Sequence, residues 1–283
     1  MNQYGELDFD DVSCPGTSGQ ELSDALARCD GGSAESSSQE VFGLGLSFGA
    51  YSDRGGRRRN EDSFLITDAI SCVSDGIGGA EHGDVMSKLA CSAVCGEWDS
   101  LPGSEMSAEE RMRRSILGAD SFLTKVGMGL GGGPGATIVA VASAGGALVF
   151  GAVGDSRAFV LDERGLLSVF PETGREADAG NALSAALGYG MLEGGYEPRV
   201  TSLRVSRGAR VLLCTDGVWT SLSERRLRST LSASGAPWQV ARSIVKESVG
   251  DWGRGHDNAT ALVGMPCNES SAYGESTPVS TRL

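Results

Sequence analysis

Histidine is scarce in this chain, Cys-x-x-Cys pairs, long apolar runs and an excess of basic charge are missing, and each shortage excludes something. Only His82 and His256 are present in 283 residues. Cys91 and Cys95, four apart, therefore lack the partner pair or suitably spaced imidazoles that a zinc site needs. The seven cysteines are odd in number, and Cys72, Cys91, Cys95 and Cys214 lie in apolar stretches, which reads as buried reduced thiols rather than a disulfide framework. No stretch approaches the roughly 20 apolar residues that cross a bilayer, and the N-terminus has neither the basic region nor the apolar core of an export signal. A cytoplasmic protein with no membrane partner is the expectation. With 24 Lys and Arg against 37 Asp and Glu, a net charge of −13 argues against nucleic acid, whose phosphates are bound by basic surfaces. The glycine-rich stretch 127–135 has no Gly-Lys-Ser/Thr and falls between a helix and a strand, the reverse of a nucleotide cradle, so it reads as a connector.

What is present suits one large domain with extensions: 40% of residues are apolar and 22% charged, enough for a sizeable core. Residues 1–40 hold nine acids against Arg28 alone and mix them with Ser and Gly, so this leader is expected to be disordered. The folded domain is expected over 41–265, followed by a polar tail, 266–283. Phe42, Leu44, Leu46 and Phe48 alternate with small residues at strand spacing, and Ser52 to Arg59 is turn-rich. Phe64 to Thr67 with Ile70 to Ser74 reads as a hairpin leading into Asp75. Asp84 is the expected N-cap of one helix and Ser107, with Glu110 three residues on, of a second whose stripe is Met112, Ile116, Leu123 and Val126. The runs 137–142, 147–153 and 158–161 are expected to form an antiparallel meander. Two further strands, 199–205 and 210–215, precede a helix opened by Pro237 over 237–249 and a last strand, 261–265. Strand groups interrupted by helix pairs give an α+β class.

Four short acidic motifs stand out against this background: Asn60-Glu61-Asp62, Asp75-Gly76-Ile77-Gly78-Gly79, Thr215-Asp216-Gly217 and Asp257-Asn258-Ala259-Thr260. An apolar run ending in Asp-Gly places a carboxylate at a strand end, where small neighbours admit close approach. For any one Asp a turn cap is the simpler reading. Several carboxylates meeting at one point need cations, and oxygen-only donors suit hard ions such as Mg2+ or Mn2+.

The motifs, with Arg57 ahead of Glu61-Asp62 and Gly154-Asp155-Ser156-Arg157 between the second and third, resemble in order and wording the metal-dependent serine/threonine protein phosphatases of the PP2C (PPM) family, most closely its compact bacterial branch. The resemblance runs over about residues 43–264. It implies a four-layer α-β-β-α sandwich, two antiparallel sheets flanked by helices, with a metal cleft at one end. It also implies that Asp75 bridges two ions. Glu61 and the Gly76 carbonyl complete one coordination sphere, Asp216 and Asp257 the other, and Asp155 joins Asp216 at a third, looser site. Two ions about 4 Å apart would then lower the pKa of a shared water that attacks phosphorus directly. No Cys or Ser nucleophile is needed. Asp62 would orient a water from behind the ligands, and Arg57, or Arg58 because the loop is one residue short, would grip the phosphate with its bidentate fork. Ile77 stands where many relatives have a histidine, so the resemblance leaves a metal-bound water as the expected general acid.

Between Leu161 and Leu187 the chain departs from the family. Only Pro171 to Gly180 precede Asn181 to Gly188, which resembles the segment after the family's flap, with Ala185 in place of Arg. The flap is expected to be nearly absent and the cleft open. The functional expectation is hydrolysis of phosphoserine and phosphothreonine on proteins by a monomer, opposing a serine/threonine kinase. The alternatives are a non-catalytic phosphoprotein-binding or kinase-regulating member of the fold, and an enzyme inhibited by its own acidic leader.

Overall fold

The computed structural model describes residues 39–41, 46–77, 82–130, 134–170, 186–190, 196–250 and 256–266. Two antiparallel sheets stack face to face. The first runs in the order β1 (Gln39–Val41), β2 (Leu46–Asp53), β12 (Ala259–Pro266), β11 (Arg210–Cys214), β8 (Arg157–Asp162) and β9 (Gly165–Ser168). The second runs β10 (Arg199–Leu203), β7 (Ala147–Val153), β6 (Ile138–Ala144), β4 (Ile70–Ile77) and β3 (Asp62–Ile66), with the short β5 (Gly135–Ala136) paired to the end of β4.

Because successive strand residues face opposite ways, each central strand feeds two cores. Val73, Val139, Val141, Phe150, Val211 and Leu213 point between the sheets, where Phe48, Val160 and Leu262 meet them. Their alternates, Cys72, Ile138 and Ala140, pack outward against α1 (Gly83–Ser100) and α2 (Ala108–Gly129), whose contributions include Met86, Leu89, Trp98, Met112, Ile116 and Leu123. On the opposite side, Leu212, Val263 and Phe159 pack against α4 (Glu224–Leu231) and α5 (Pro237–Val249). Three stacked apolar layers make the four-layer sandwich. Burial on both faces explains why β6, Ile-Val-Ala-Val-Ala-Ser-Ala, reads as an unbroken apolar run. At about 25 cal/mol per Å2, each large side chain in these layers contributes roughly 2 kcal/mol.

Local signals placed several elements well. The Ser107 hydroxyl accepts the Glu110 amide at 3.1 Å to cap α2, and Pro237 opens α5. Other expectations need correction. Asp84 is not the N-cap of α1. His82 is, with a left-handed φ of 89° and its carbonyl accepting the amides of Val85 and Met86, so Asp84 lies in the first turn. The turn-rich stretch from Ser52 begins only after Asp53, because β2 continues to pair with Thr260 and Ala259. The three runs after residue 137 are not one meander. β6 and β7 form a hairpin, but β8 belongs to the other sheet, between β11 and β9. Gly154-Asp155-Ser156 therefore crosses from sheet to sheet, with Gly154 at φ 88°. β9, α4 and the single turn α3 (Asp216–Trp219) carry too little periodicity to stand out in the sequence. β1 begins at Gln39, inside the stretch read as the leader. Residues 1–38, the tail from 267 and residues 171–185, where the short flap is expected, lie outside the described residues.

Candidate active site

The acidic motifs meet because both sheets present strand ends on the same side. In the second sheet Asp62 opens β3 directly across from Asp75 near the close of β4. In the first sheet β11 ends at Cys214, so Thr215 and Asp216 follow it out, and Asp257-Asn258 lead into β12 beside them. The Asp155 crossover closes the gap between the sheets. Burial and neighbouring charge shift four of these carboxyls. Asp75 is pushed well up, first by burial and then by the charges of Asp62, Asp216, Asp155 and Asp257. Asp216 rises to about 6, through burial and then Asp155 and Asp257. Asp155 is raised by burial. Glu61 is raised by burial and by Asp84, a neighbour that the cap reading had hidden.

Asp62 is buried, and burial lifts it to about 7 even though the hydroxyls of Thr215 and Thr260 favour its charged form. Thr215 Oγ1 donates to Asp62 Oδ2 at 2.8 Å and accepts the Thr260 amide at 3.0 Å. The Asp75 backbone is fixed in a similar way. Its amide donates to Thr137 Oγ1 at 2.9 Å, its carbonyl accepts the Thr137 amide at 2.8 Å, and Thr137 Oγ1 pairs with Ser156 Oγ at 2.7 Å. The crossover is thus tied to β4 beside Asp75. Its other side is held by Trp219, whose indole N–H donates to the Asp155 carbonyl at 2.9 Å.

Glycine is required where backbone meets backbone. The Gly76 amide donates to the Glu61 carbonyl at 3.0 Å, and a methyl on Gly76 would run into the Gly83 carbonyl. A methyl on Gly83 would lie 2.9 Å from Glu61 Oε1 and 3.0 Å from the Gly76 carbonyl oxygen. The Glu61 carboxylate and the Gly76 carbonyl therefore sit together at the start of α1, where the helix dipole favours negative charge.

Asn258 holds the basic loop. Its Oδ1 accepts the Glu61 amide at 2.8 Å, and its Nδ2 donates to the carbonyls of Arg54 and Arg59 at 2.8 and 2.9 Å. Within that clamp Arg57 reaches Asp257, Nη2 to Oδ2 at 2.6 Å, while Arg58 and Arg59 are exposed. Of the three arginines, Arg57 is thus the one seen bonded to an acid of the cluster. The pair is 58% and 39% exposed, so it adds at most about 1 kcal/mol of stability and is easily exchanged for another anion.

The donor set fits hard divalent cations. It consists of carboxylates and a backbone carbonyl, and one oxygen each of Asp62, Asp155 and Asp216 is buried with no hydrogen-bond partner. Buried acids of this kind need compensation by positive charge. Among the described residues no three Asp, Glu, His or Cys side chains stand at ligating separation. Cys72, Cys91, Cys95 and Cys214 are buried in the apolar layers, and burial pushes the Cys214 thiol up, which suits packing rather than nucleophilic attack. Sequence reasoning missed Thr137, Thr215, Trp219 and the clamp role of Asn258. Only Thr215 and Asn258 adjoin acids in the motifs and could have been singled out on that ground.

With this geometry in place, comparison with known proteins gives the class. The sequence profile of the protein phosphatase 2C family matches residues 52–249, and the chain belongs to that family. It is 29% identical over 253 residues to the serine/threonine protein phosphatase PstP of Mycobacterium tuberculosis, covering 83% of this chain and 48% of PstP. The chain thus spans about half the length of that relative. It is 27% identical to the serine/threonine phosphatase stp of Listeria monocytogenes, over 75% of this chain and 88% of that one. The catalytic domain of PstP, solved in complex with two manganese ions, superposes with a TM-score of 0.66 at 26% identity, covering 78% of this chain and 97% of that one.

Proposed function

We propose that this protein is a divalent-metal-dependent phosphatase that removes phosphate from serine and threonine side chains of proteins. The observation that carries the reading is the meeting of Glu61, Asp62, Asp75, Asp155, Asp216 and Asp257 at one end of the sandwich, where the two sheets present their strand ends together. Family membership and the two manganese ions of the PstP domain support it.

Asp75, Glu61 and the Gly76 carbonyl would hold one Mg2+ or Mn2+ ion, and Asp75, Asp216 and Asp257 a second, with Asp155 and Asp216 available to a third. Bound there, the ions supply positive charge for the phosphate and acidify a water for in-line attack. Asp62, held by the Thr215 hydroxyl, would accept a hydrogen bond from that water and orient it. Arg57 would exchange Asp257 for the phosphate oxygens, which offer its guanidinium two acceptors. The protein is read as cytoplasmic and monomeric, acting on proteins phosphorylated by a serine/threonine kinase. The full set of acids argues against a solely phosphoprotein-binding role.

The test is Mn2+-dependent release of phosphate from a phosphothreonine peptide and from p-nitrophenyl phosphate. Asp75→Asn and Asp216→Asn should each lower kcat/KM by about a thousandfold or more, on the scale of losing transition-state charge stabilisation. Peptide binding without turnover by the unaltered protein would replace this reading with the binding-module one.

A further inference from the structure

The first sheet carries a second constellation, on its outer face and away from the acids. Residues 204–228 hold six arginines against Asp216 and Glu224, in a chain whose net charge is −13. Three of them, Arg207, Arg210 and Arg228, line a cavity of about 360 Å3 with Ser206, Gly208 and Ser232, between the β8–β9 turn, the β10–β11 loop and α4. Its acids offer little neutralisation. Asp162 is already engaged by Arg164 at 2.6 Å, which leaves Glu163. Arg210 spends one nitrogen on the carbonyls of Leu231 and Ala233. Arg207 and Arg228 are exposed, and the buried Ser206 hydroxyl has no partner among the described residues. By contrast, Arg113, Arg114, Arg226 and Lys246 elsewhere on the surface are paired with carboxylates.

A second depression, about 220 Å3, adjoins this one along the same seam. Its apolar walls are Phe159, Leu166, Trp219, Leu222 and Leu227, with Arg157 at one end, stacked 3.4 Å from the Trp219 ring. Leu161 of the first cavity and Phe159 of this second depression share one face of β8, and Arg228 and Leu227, one from each, are successive on α4. The seam therefore leads from Trp219, which bonds the Asp155 carbonyl, to the arginines at the far end of the strands. From Arg157 to Leu161 is about 13 Å at ~3.3 Å per residue.

We propose that this seam is a docking groove for an extended segment of the phosphoprotein substrate, seating an apolar side chain beside Trp219 and a second phosphoryl group on Arg207, Arg210 and Arg228. The proposal rests on the phosphatase reading. Guanidinium forks match phosphate oxygens, and a basic landing point offsets the repulsion that an acidic protein exerts on an anionic substrate. An extended peptide covers these roughly 13 Å in about four residues, and the two-residue step from Asp155 to Arg157 adds at most about 7 Å, so roughly six residues separate the two phosphoryl groups.

The test compares phosphothreonine peptides that carry phosphoserine or serine six residues away, on either side, with p-nitrophenyl phosphate as the small substrate, using the full chain in Mn2+. The second phosphate should lower KM about tenfold with kcat unchanged, and the advantage should shrink as salt rises and screens the contact. The Arg207→Ser/Arg228→Ser variant should lose the advantage and hydrolyse p-nitrophenyl phosphate normally. Equal KM for both peptides, or an advantage that survives in the variant, overturns the groove. If Asp8→Asn/Asp10→Asn/Asp11→Asn lowers KM for both peptides alike and abolishes their difference, the groove holds the chain's own acidic leader, and the proposal also fails. Should nothing be hydrolysed, the phosphatase reading falls. Fluorescence anisotropy of the same labelled peptides then decides the groove: tighter binding of the doubly phosphorylated one, lost in the variant, upholds it, and equal binding refutes it.

Discussion

Replacing Asp62 with asparagine separates what the acidic cluster costs the fold from what it does for chemistry. Asp62 is 1% exposed and titrates at about 7 instead of 3.8. A carboxyl with a raised folded-state pKa stabilises the protein below its unfolded value, near pH 4, and that contribution is lost as pH rises through 7. At ~1.4 kcal/mol per pH unit the loss by pH 8 is roughly 4 kcal/mol. Asparagine avoids ionisation and can still accept the Thr215 hydroxyl. Its amide hydrogens, however, would point toward the position of Oδ1, which has no partner, and that returns about 1–2 kcal/mol. In EDTA at pH 8, Asp62→Asn should therefore be about 2 kcal/mol more stable than the unaltered protein, a rise in Tm of about 4–8 °C for a domain of this size. Near pH 4 the gain should vanish. In Mn2+ the variant should lose turnover, because the group that orients water is neutral. Thermal melts across pH 4 to 8 in EDTA check the sign. Parallel pH profiles for the two proteins would refute the assignment of a buried, raised carboxyl to Asp62.

Two further changes probe the scaffold behind the acids. Thr137→Val keeps the shape but leaves the Asp75 amide without its side-chain acceptor and frees Ser156. Urea unfolding should show a loss of about 1–3 kcal/mol, and the Mn2+ concentration needed for half-maximal activity should rise; an unchanged midpoint in both would show that this hydroxyl positions nothing. Asn258→Ala removes three bonds that hold the Arg54–Glu61 loop. Hydrogen exchange over residues 54–61 should accelerate by at least an order of magnitude, with KM rising more than kcat falls because Arg57 loses its support, and unaltered exchange there would refute the clamp.

Much of the site was legible because the acids sit in short motifs whose order survives in the sequence. Glu61, Asp62, Asp75, Asp155, Asp216 and Asp257 were all singled out there, and the structure brings them to one end of the sandwich. Capping and periodicity located α2 and α5 for a local reason: a Ser-x-x-Glu start and a proline at the first turn act within one turn of backbone. The same logic misplaced Asp84, since the helix begins on His82, whose left-handed φ no side-chain cap preference announces. It also turned the Gly154–Ser156 crossing into a hairpin, because a tight turn and a jump between sheets use the same glycine.

The sequence by itself determined the donor chemistry, the strand ends that carry it and the family. Which partners those groups take was decided by tertiary structure alone. Thr215 on Asp62 lies 153 residues away in sequence, and Arg57 on Asp257 lies 200 away. Such pairs are fixed by how two sheets stack and where their ends fall. Hydrophobic alternation selects the stacking, but no local pattern records which hydroxyl, amide or guanidinium then arrives beside each carboxylate.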